Sequence, residues 1–161
     1  MAATAIEREN VRIVRDYVTE IWQDHRFDRV PEFVADSVIY DDPTLSTPVR
    51  GPRELYAHLR RTKSSFSDFH VAIDALVAEG DVVASEWTLT AIHDGPMGVI
   101  PPTGRRLQVR GMSIHRLEDD KLVADRAYWD VAEVRTQLGL DVPAILGQLP
   151  KLAWRKLTGP R

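Results

Sequence analysis

Apolar and polar residues alternate at every second position through most of the chain after Ser67, and this pattern constrains the fold more than any other feature of the sequence. Turn residues, Glu79-Gly80-Asp81 and Asp119-Asp120, interrupt the alternation twice. A Pro- and Gly-rich loop, 94–104, interrupts it once more. Such a series predicts antiparallel strands that follow one another along the chain. The four predicted strands are about 67–79, Val82 to His93, Arg105 to Leu117 and Lys121 to Trp129.

The residues before this series have a helical period instead. Thr4 and Glu7 have the spacing of a capping box, and apolar residues then recur at helical intervals to about Trp22–Asp24. A short helix after Asp28, a short strand at 38–40 and a helix that begins at Gly51-Pro52 follow. Helices that precede four long strands predict an α+β domain. We expect a curled antiparallel sheet wrapped around the long N-terminal helix, with a deep apolar pocket inside the cone.

Composition limits the functions that such a domain can have. The chain of 161 residues has a net charge of −3, so a nucleic-acid or anionic-membrane partner is not expected. It contains no cysteine, and its five histidines are scattered without a metal-binding motif, so neither a metal nor an organic cofactor is expected. No signal peptide or membrane-spanning run is visible in the sequence, and we therefore expect a cytoplasmic protein.

The last hairpin carries the candidate site. If Asp119-Asp120 is a two-residue turn, the residue numbers of each facing pair add up to 239. This register places Asp130 opposite Val109 and His115 opposite Ala124. Alternation then puts five polar or aromatic side chains on one face of the sheet. They are Ser113, His115, Arg126, Tyr128 and Asp130.

Each of these residues has an ordinary structural role as an alternative. Asp130 could act as a general acid or base in an apolar pocket, but it also directly precedes a predicted helix, Val131–Leu138, whose N-cap it could be. His115 could be a hydrogen-bonded core histidine. Arg126 could clamp a substrate or pair with Glu133 or a neighbouring aspartate. Four aromatic residues could either line a pocket for a flat ligand or pack in the core, namely Tyr17, Trp22, Trp87 and Tyr128.

Several stretches together resemble a known family. Near the N-terminus these are Asn10 to Trp22, 33–36 and Tyr40-Asp41-Asp42-Pro43. Farther along they are 87–90, Ile100-Pro101-Pro102-Thr103-Gly104-Arg105, Trp129-Asp130 and Gln137-Leu138-Gly139. Over roughly residues 6–140 the chain is similar to the SnoaL-like polyketide (ester) cyclases of the nuclear-transport-factor-2-like (NTF2-like) superfamily.

The resemblance implies an NTF2-like cone and a cofactor-independent aldol ring closure on a small, polyketide-like substrate. It gives Asp130 the role of the base and His115 that of its assistant. Epoxide hydrolysis or epoxide-opening cyclisation, isomerisation, hydroxylation and a non-catalytic ligand-binding dimer remain alternatives on the same fold. We expect residues 1–142 to form this domain, 143–161 to be a helical tail, and the protein to be a homodimer.

Overall fold

A computed structural model describes residues 3–140 of the chain. Its first helix begins with the predicted capping box. The hydroxyl of Thr4 accepts a hydrogen bond from the backbone amide of Glu7 at 3.2 Å, and the Glu7 carboxylate accepts one from the Thr4 amide at 2.7 Å. Both partners thereby satisfy amides that a helix start otherwise leaves without an acceptor.

The order of the elements is that of the predicted α+β domain. The helices are Ala5–Tyr17 (α1), Val30–Phe33 (α2), Gly51–Ser65 (α3) and Val131–Gln137 (α4). The strands are Val34–Asp41 (β1), Val49–Arg50 (β2), Phe66–Glu79 (β3), Val82–His93 (β4), Arg106–Glu118 (β5) and Lys121–Trp129 (β6). Within residues 3–140 no helix is long and apolar enough to cross a membrane. The predicted tail, 143–161, lies outside the described residues.

A π-helical turn, Val18–Gln23, continues α1. The amide of Asp24 donates to the carbonyl of Thr19, five residues back, at 2.8 Å. This wider turn ends at the place predicted for the first helix, and its Gln23 side chain accepts a hydrogen bond from the amide of Val71 at 2.7 Å. The turn therefore ties the helix to β3.

The six strands form one sheet in the order β2-β1-β6-β5-β4-β3. The pairs β3–β4, β4–β5 and β5–β6 are antiparallel neighbours, as predicted. By contrast, β1 pairs with β6 in parallel and brings Tyr40 beside Asp125, a contact that the sequence did not predict. Helix α1 and helix α3 pack on the concave face of this curled sheet, where their side chains form the core with residues such as Val14, Tyr17 and Leu55.

The predicted register of the last hairpin is wrong beyond its first two pairs. Glu118 faces Lys121 and Leu117 faces Leu122, but Arg116 then faces Ala124 because a β-bulge inserts an extra residue into β6. A shift of one residue turns every following side chain to the opposite face of the sheet. The bulge thus decides which residues of β6 reach the interior.

Candidate active site

A cavity of about 620 Å³ lies between the helices and the concave face of the sheet. Most of its surface is apolar, and much of it is aromatic. Its walls include Phe66, Phe69, Leu89, Leu107, Val109 and Trp129. A cavity of this size and character suits a small, largely apolar ligand.

Asp125 is the polar group that the bulge turns into this cavity. The residue is only 3% exposed, although it lies on the cavity wall. One of its carboxylate oxygens, Oδ2, accepts a hydrogen bond from the hydroxyl of Tyr17 at 3.1 Å. Burial, and then the negative charge of Asp125, raise the pKa of Tyr17 well above its ordinary value, so Tyr17 remains a hydrogen-bond donor to Asp125.

His115 faces the other oxygen of this carboxylate across the β5–β6 ladder. Its Nδ1 lies 3.2 Å from Oδ1 of Asp125, yet the alignment falls short of a hydrogen bond, and both atoms are buried without another partner in the described part of the chain. The opposite ring nitrogen, Nε2, lies 2.9 Å from the hydroxyl of Ser85. Asp125, His115 and Ser85 thus form a buried row of a carboxylate, an imidazole and a hydroxyl, and the first two are side chains that commonly act as general acids and bases.

Three of the predicted binding residues also line the cavity. Trp22 reaches it from the π-helical turn, and Trp87 and Ser113 reach it from neighbouring strands. The indole nitrogen of Trp87 donates to the hydroxyl of Ser113 at 3.0 Å, which fixes the indole against the wall. Tyr17 contributes through its contact with Asp125.

The remaining predicted site residues lie elsewhere, because the predicted register ignored the bulge. Arg126 and Tyr128 point to the outer face of the sheet and are exposed. Asp130 is exposed as well, and its Oδ1 accepts from the amides of Ala132 at 2.8 Å and Glu133 at 3.1 Å. Asp130 therefore caps α4, as the structural alternative predicted, and its predicted position on the inner face is wrong.

A second carboxylate and histidine share the cavity wall, and the sequence did not indicate them as a pair. Asp42 follows β1 and is 8% exposed, and its Oδ2 lies 3.6 Å from Nε2 of His58 on α3. The amide of Thr44 donates to Asp42 at 2.7 Å, a contact typical of a turn that an aspartate begins. His58 lies three residues after Leu55 and next to Leu59, both of which are buried, so its inward position could have been found from helical spacing. No comparable spacing in the sequence indicates that Asp125 faces the interior.

Residues 3–140 contain no group of three or more carboxylate or imidazole side chains that could hold a metal ion. Asp42 and His58 form only a pair, and so do Asp125 and His115.

Solved structures of other proteins have the same fold. A chain from Jannaschia sp. CCS1 assigned as a SnoaL-like polyketide cyclase aligns with a TM-score of 0.81 and 24% identity, over 88% of this chain and 99% of that one. An epoxide hydrolase of the LEH-like type from M. tuberculosis aligns with a TM-score of 0.65 and 24% identity, over 87% and 96%. AclR from Streptomyces galilaeus, assigned as a hydroxylase, aligns with a TM-score of 0.72 and 19% identity, over 84% and 99%.

These alignments confirm the predicted NTF2-like fold, and the assignments of the aligned proteins differ in reaction. A comparison with curated proteins found no match. The sequence profile of the SnoaL-like polyketide cyclases matches residues 12–138, which is most of the chain and contains every residue of the cavity described above. The chain therefore belongs to the SnoaL-like polyketide cyclase family.

Proposed function

We propose that the protein is a cofactor-independent cyclase that closes a ring in a polyketide-like substrate by an intramolecular aldol reaction, as a step of natural-product biosynthesis. Asp125, with His115, supplies the acid and base. The observation that carries this proposal is the buried carboxylate–imidazole pair on the wall of a large, mostly apolar cavity. Family membership supports the same class of substrate.

The chemistry needs only proton transfer and positioning. Asp125 accepts a proton from a carbon that lies between two carbonyl groups, and the electron pair of that C–H bond becomes an enolate, whose charge the neighbouring carbonyls delocalise. The enolate carbon forms a bond to the carbon of a second carbonyl group in the same molecule. The electron pair of that C=O bond moves to its oxygen, which takes up the proton, so no other reactant is consumed. The cavity contributes by holding the two carbons together and keeping water out.

The contacts of Asp125 suit this role. Tyr17 holds one oxygen by a hydrogen bond, while the other oxygen lies beside Nδ1 of His115. The hydroxyl of Ser85 fixes the far side of the imidazole. A proton accepted by Asp125 can pass to His115 and return to the product oxygen, because the imidazole can carry it in between.

Epoxide opening is a second candidate, and one observation favours it. Two carboxylates, Asp125 and Asp42, line the same cavity, so one could protonate an epoxide oxygen while the other activates water or a substrate hydroxyl. Arg126 gives this candidate no support, because it lies on the outer face of the sheet.

A comparison of two aspartate substitutions tests the proposal. The probe is an aryl β-keto ester with an acetonyl group in the ortho position, whose aldol closure and loss of water give a naphthol that is followed by absorbance. We expect Asp125→Asn to lower kcat by about 10²–10⁴-fold, the usual contribution of a general acid or base. Asp130→Asn is the matched control and should keep its activity, because asparagine also caps helices well.

Three outcomes would contradict the proposal. The first is an unchanged rate for Asp125→Asn. The second is a large loss of rate for Asp130→Asn at unchanged thermal stability, which would return the acid–base role to the residue that the family resemblance implies. The third is a wild-type protein that does not accelerate closure of the β-keto ester but opens an aryl epoxide, which would favour the second candidate.

A further inference from the structure

The wall of the cavity formed by β1 and α3 carries a second cluster of titratable groups that the proposed reaction does not use. It consists of Asp42, Tyr40 and His58, and all three line the cavity. The rings of Tyr40 and His58 are 5.1 Å apart between centroids, and the side chain of His58 is only 11% exposed. A histidine packed in this way is held in place, as a binding residue requires.

Both carboxylate oxygens of Asp42 accept hydrogen bonds. The amide and the hydroxyl of Thr44 donate to Oδ1, and the hydroxyl of Tyr40 donates to Oδ2 at 3.1 Å. The ionised Asp42 carboxylate has acceptor atoms only, so the group it favours beside it is a hydrogen-bond donor. Its next neighbour is Nε2 of His58, which lies 3.6 Å from Oδ2. That distance exceeds a direct hydrogen bond, yet at such close range the charge of Asp42 still favours the ring form whose N–H points towards it.

The other nitrogen of His58 is then an acceptor. Burial lowers the pKa of His58, against the opposing charge of Asp42, and the cation of Arg61 lowers it further. The imidazole is therefore neutral near pH 7 and has a free lone pair on Nδ1. Within residues 3–140 no group forms a hydrogen bond with Nδ1 of His58.

We propose that His58 is a ligand-binding residue, whose Nδ1 accepts the hydrogen of an enol or phenol hydroxyl on the ligand while Asp42 orients the opposite nitrogen. Such hydroxyls are what a polyketide-like chain presents when its ketones enolise or its rings become aromatic, so this choice of ligand rests on the proposed function. The aromatic lining of the cavity suits the flat carbon frame that carries such a group.

One ligand can reach both polar pairs. Tyr40 is the register partner of Asp125 across the parallel β1–β6 pair, so their Cα atoms are about 4.8 Å apart, the usual spacing between strands. Asp42 follows two residues later, about 6–7 Å along the chain, which places the Cα atoms of the two aspartates about 8 Å apart. A hydroxyl bound at His58 would therefore hold the reacting carbon of the same molecule near Asp125.

Binding of β-naphthol and of its methyl ether tests the proposal, since the two probes share a flat apolar frame and only the naphthol can donate a hydrogen bond. We expect the wild-type protein at pH 7.5 to bind the naphthol about tenfold or more tightly than the ether, because the ether has no hydrogen to donate to Nδ1. Titrations that follow naphthalene fluorescence give both dissociation constants. Excited naphthol transfers its proton to a nearby base, so bound naphthol should also emit in the naphtholate band.

Variants assign the effect to one histidine. His58→Gln should bring the affinity ratio close to one and remove the naphtholate band of the bound probe, while leaving binding of the ether nearly unchanged. His115→Gln, which replaces a second histidine of the same cavity, should keep both the preference for the naphthol and the naphtholate band. If His115→Gln removed the preference and His58→Gln kept it, or if the wild-type protein bound both probes equally or neither, the proposal would be wrong.

A pH series on the wild-type protein needs no variant and therefore remains decisive if His58→Gln fails to fold. Protonation turns Nδ1 into a donor, so the preference for the naphthol should persist from neutral pH to below about pH 6.5 and then disappear. The groups that face His58 are Asp42, Tyr40 and Arg61. A preference independent of pH down to the limit of folding would contradict the proposal. Because both probes are unreactive, the result does not depend on cyclase activity.

Discussion

Asp125 lies within β6, Asp130 directly follows that strand, and the two aspartates have different surroundings. Asp125 is buried between a phenol and an imidazole, whereas Asp130 is exposed and bonded to the first amides of α4. The Asp130 carboxylate is held by the amides of Ala132 and Glu133 and does not line the cavity, whereas Asp125 lies on the cavity wall. These contacts are the reason that the acid–base role is proposed for Asp125.

At the same scale, the free energy of unfolding should depend on pH through His58. Burial lowers the pKa of His58 in the folded protein, so between about pH 6.5 and that lower value the unfolded chain binds a proton that the folded chain does not. The contribution of His58 to stability is thus complete above about pH 6.5 and is lost as the pH falls. Urea unfolding at several pH values measures the slope, which is at most about 1.4 kcal/mol per pH unit for one proton.

His58→Gln should make this slope shallower. Burial also lowers the pKa of His25, so part of the slope should remain in the variant. His25→Gln then serves as the parallel control, and each substitution should remove its own share. An identical slope for wild type and His58→Gln would mean that His58 titrates alike in the folded and unfolded chains.

At the scale of elements, local patterns predicted the elements well and their pairing less well. The capping box of α1 and the bounds of β6 agree with the sequence prediction, because caps and alternation depend on neighbouring residues. The bulge near Val123 leaves no comparable trace, since Leu122, Val123 and Ala124 are all apolar and fit either register. The prediction therefore found His115, Ser113, Trp22 and Trp87 on the cavity wall, but it placed Asp130 on the inner face of the sheet and did not place Asp125 there.

The parallel pairing of β1 with β6 could not be predicted from the sequence either. Tyr40 and Asp125 come from opposite ends of the domain, and neither strand carries a local mark of its partner. Alternation indicates that a strand has an inner face, but the choice of neighbour depends on the packing of the whole sheet.

Gly111 and Trp87 form a cross-strand pair that gives a testable prediction about the cavity wall. A Cβ atom on Gly111 would lie 2.4 Å from Cη2 and Cζ2 of Trp87 and 2.9 Å from the carbonyl oxygen of Tyr128. We expect Gly111→Ala to lower the free energy of unfolding by about 1–3 kcal/mol, as overpacking usually does. Chemical denaturation measures this loss.

The double variant separates the indole contact from other causes. A phenylalanine at position 87 lacks the two crowded atoms, so Gly111→Ala should cost less in the Trp87→Phe background than in the wild type. Equal costs in the two backgrounds would show that the contact with the Tyr128 carbonyl is responsible instead.

For the molecule as a whole, the predicted homodimer remains a prediction. The convex face of the sheet exposes apolar side chains on β5 and β6, including Met112 at 50%, Ile114 at 38% and Tyr128 at 56%. Exposed apolar residues grouped on one face usually mark an interaction surface, and a twofold contact between identical faces is its commonest form. Sedimentation at micromolar concentration should therefore give twice the 18.2 kDa of one chain.

Substitution should locate the contact. The double variant Met112→Lys, Ile114→Glu should sediment as a single chain with an unchanged circular dichroism spectrum. Ile6→Glu, on the exposed side of α1, is the control and should remain dimeric. A wild-type protein that sediments as one chain would refute the dimer, and a double variant that stays dimeric would move the contact to another face.

The parallel pairing of β1 with β6 also has a consequence for how the protein is made. The hydroxyl of Tyr17 donates a hydrogen bond to a carboxylate 108 residues farther along the chain. Of the six strands within residues 3–140, β6 is the last to leave the ribosome. Until it emerges, β1 pairs only with the two-residue strand β2, the cavity lacks one wall, and the apolar faces of α1 and α3 are not fully covered. Contacts between such distant segments form slowly and only after much chain entropy has been lost. The residues of the candidate active site should thus be among the last to reach their positions, and a nascent chain that stops before Lys121 should bind no ligand and depend on chaperones to stay in solution.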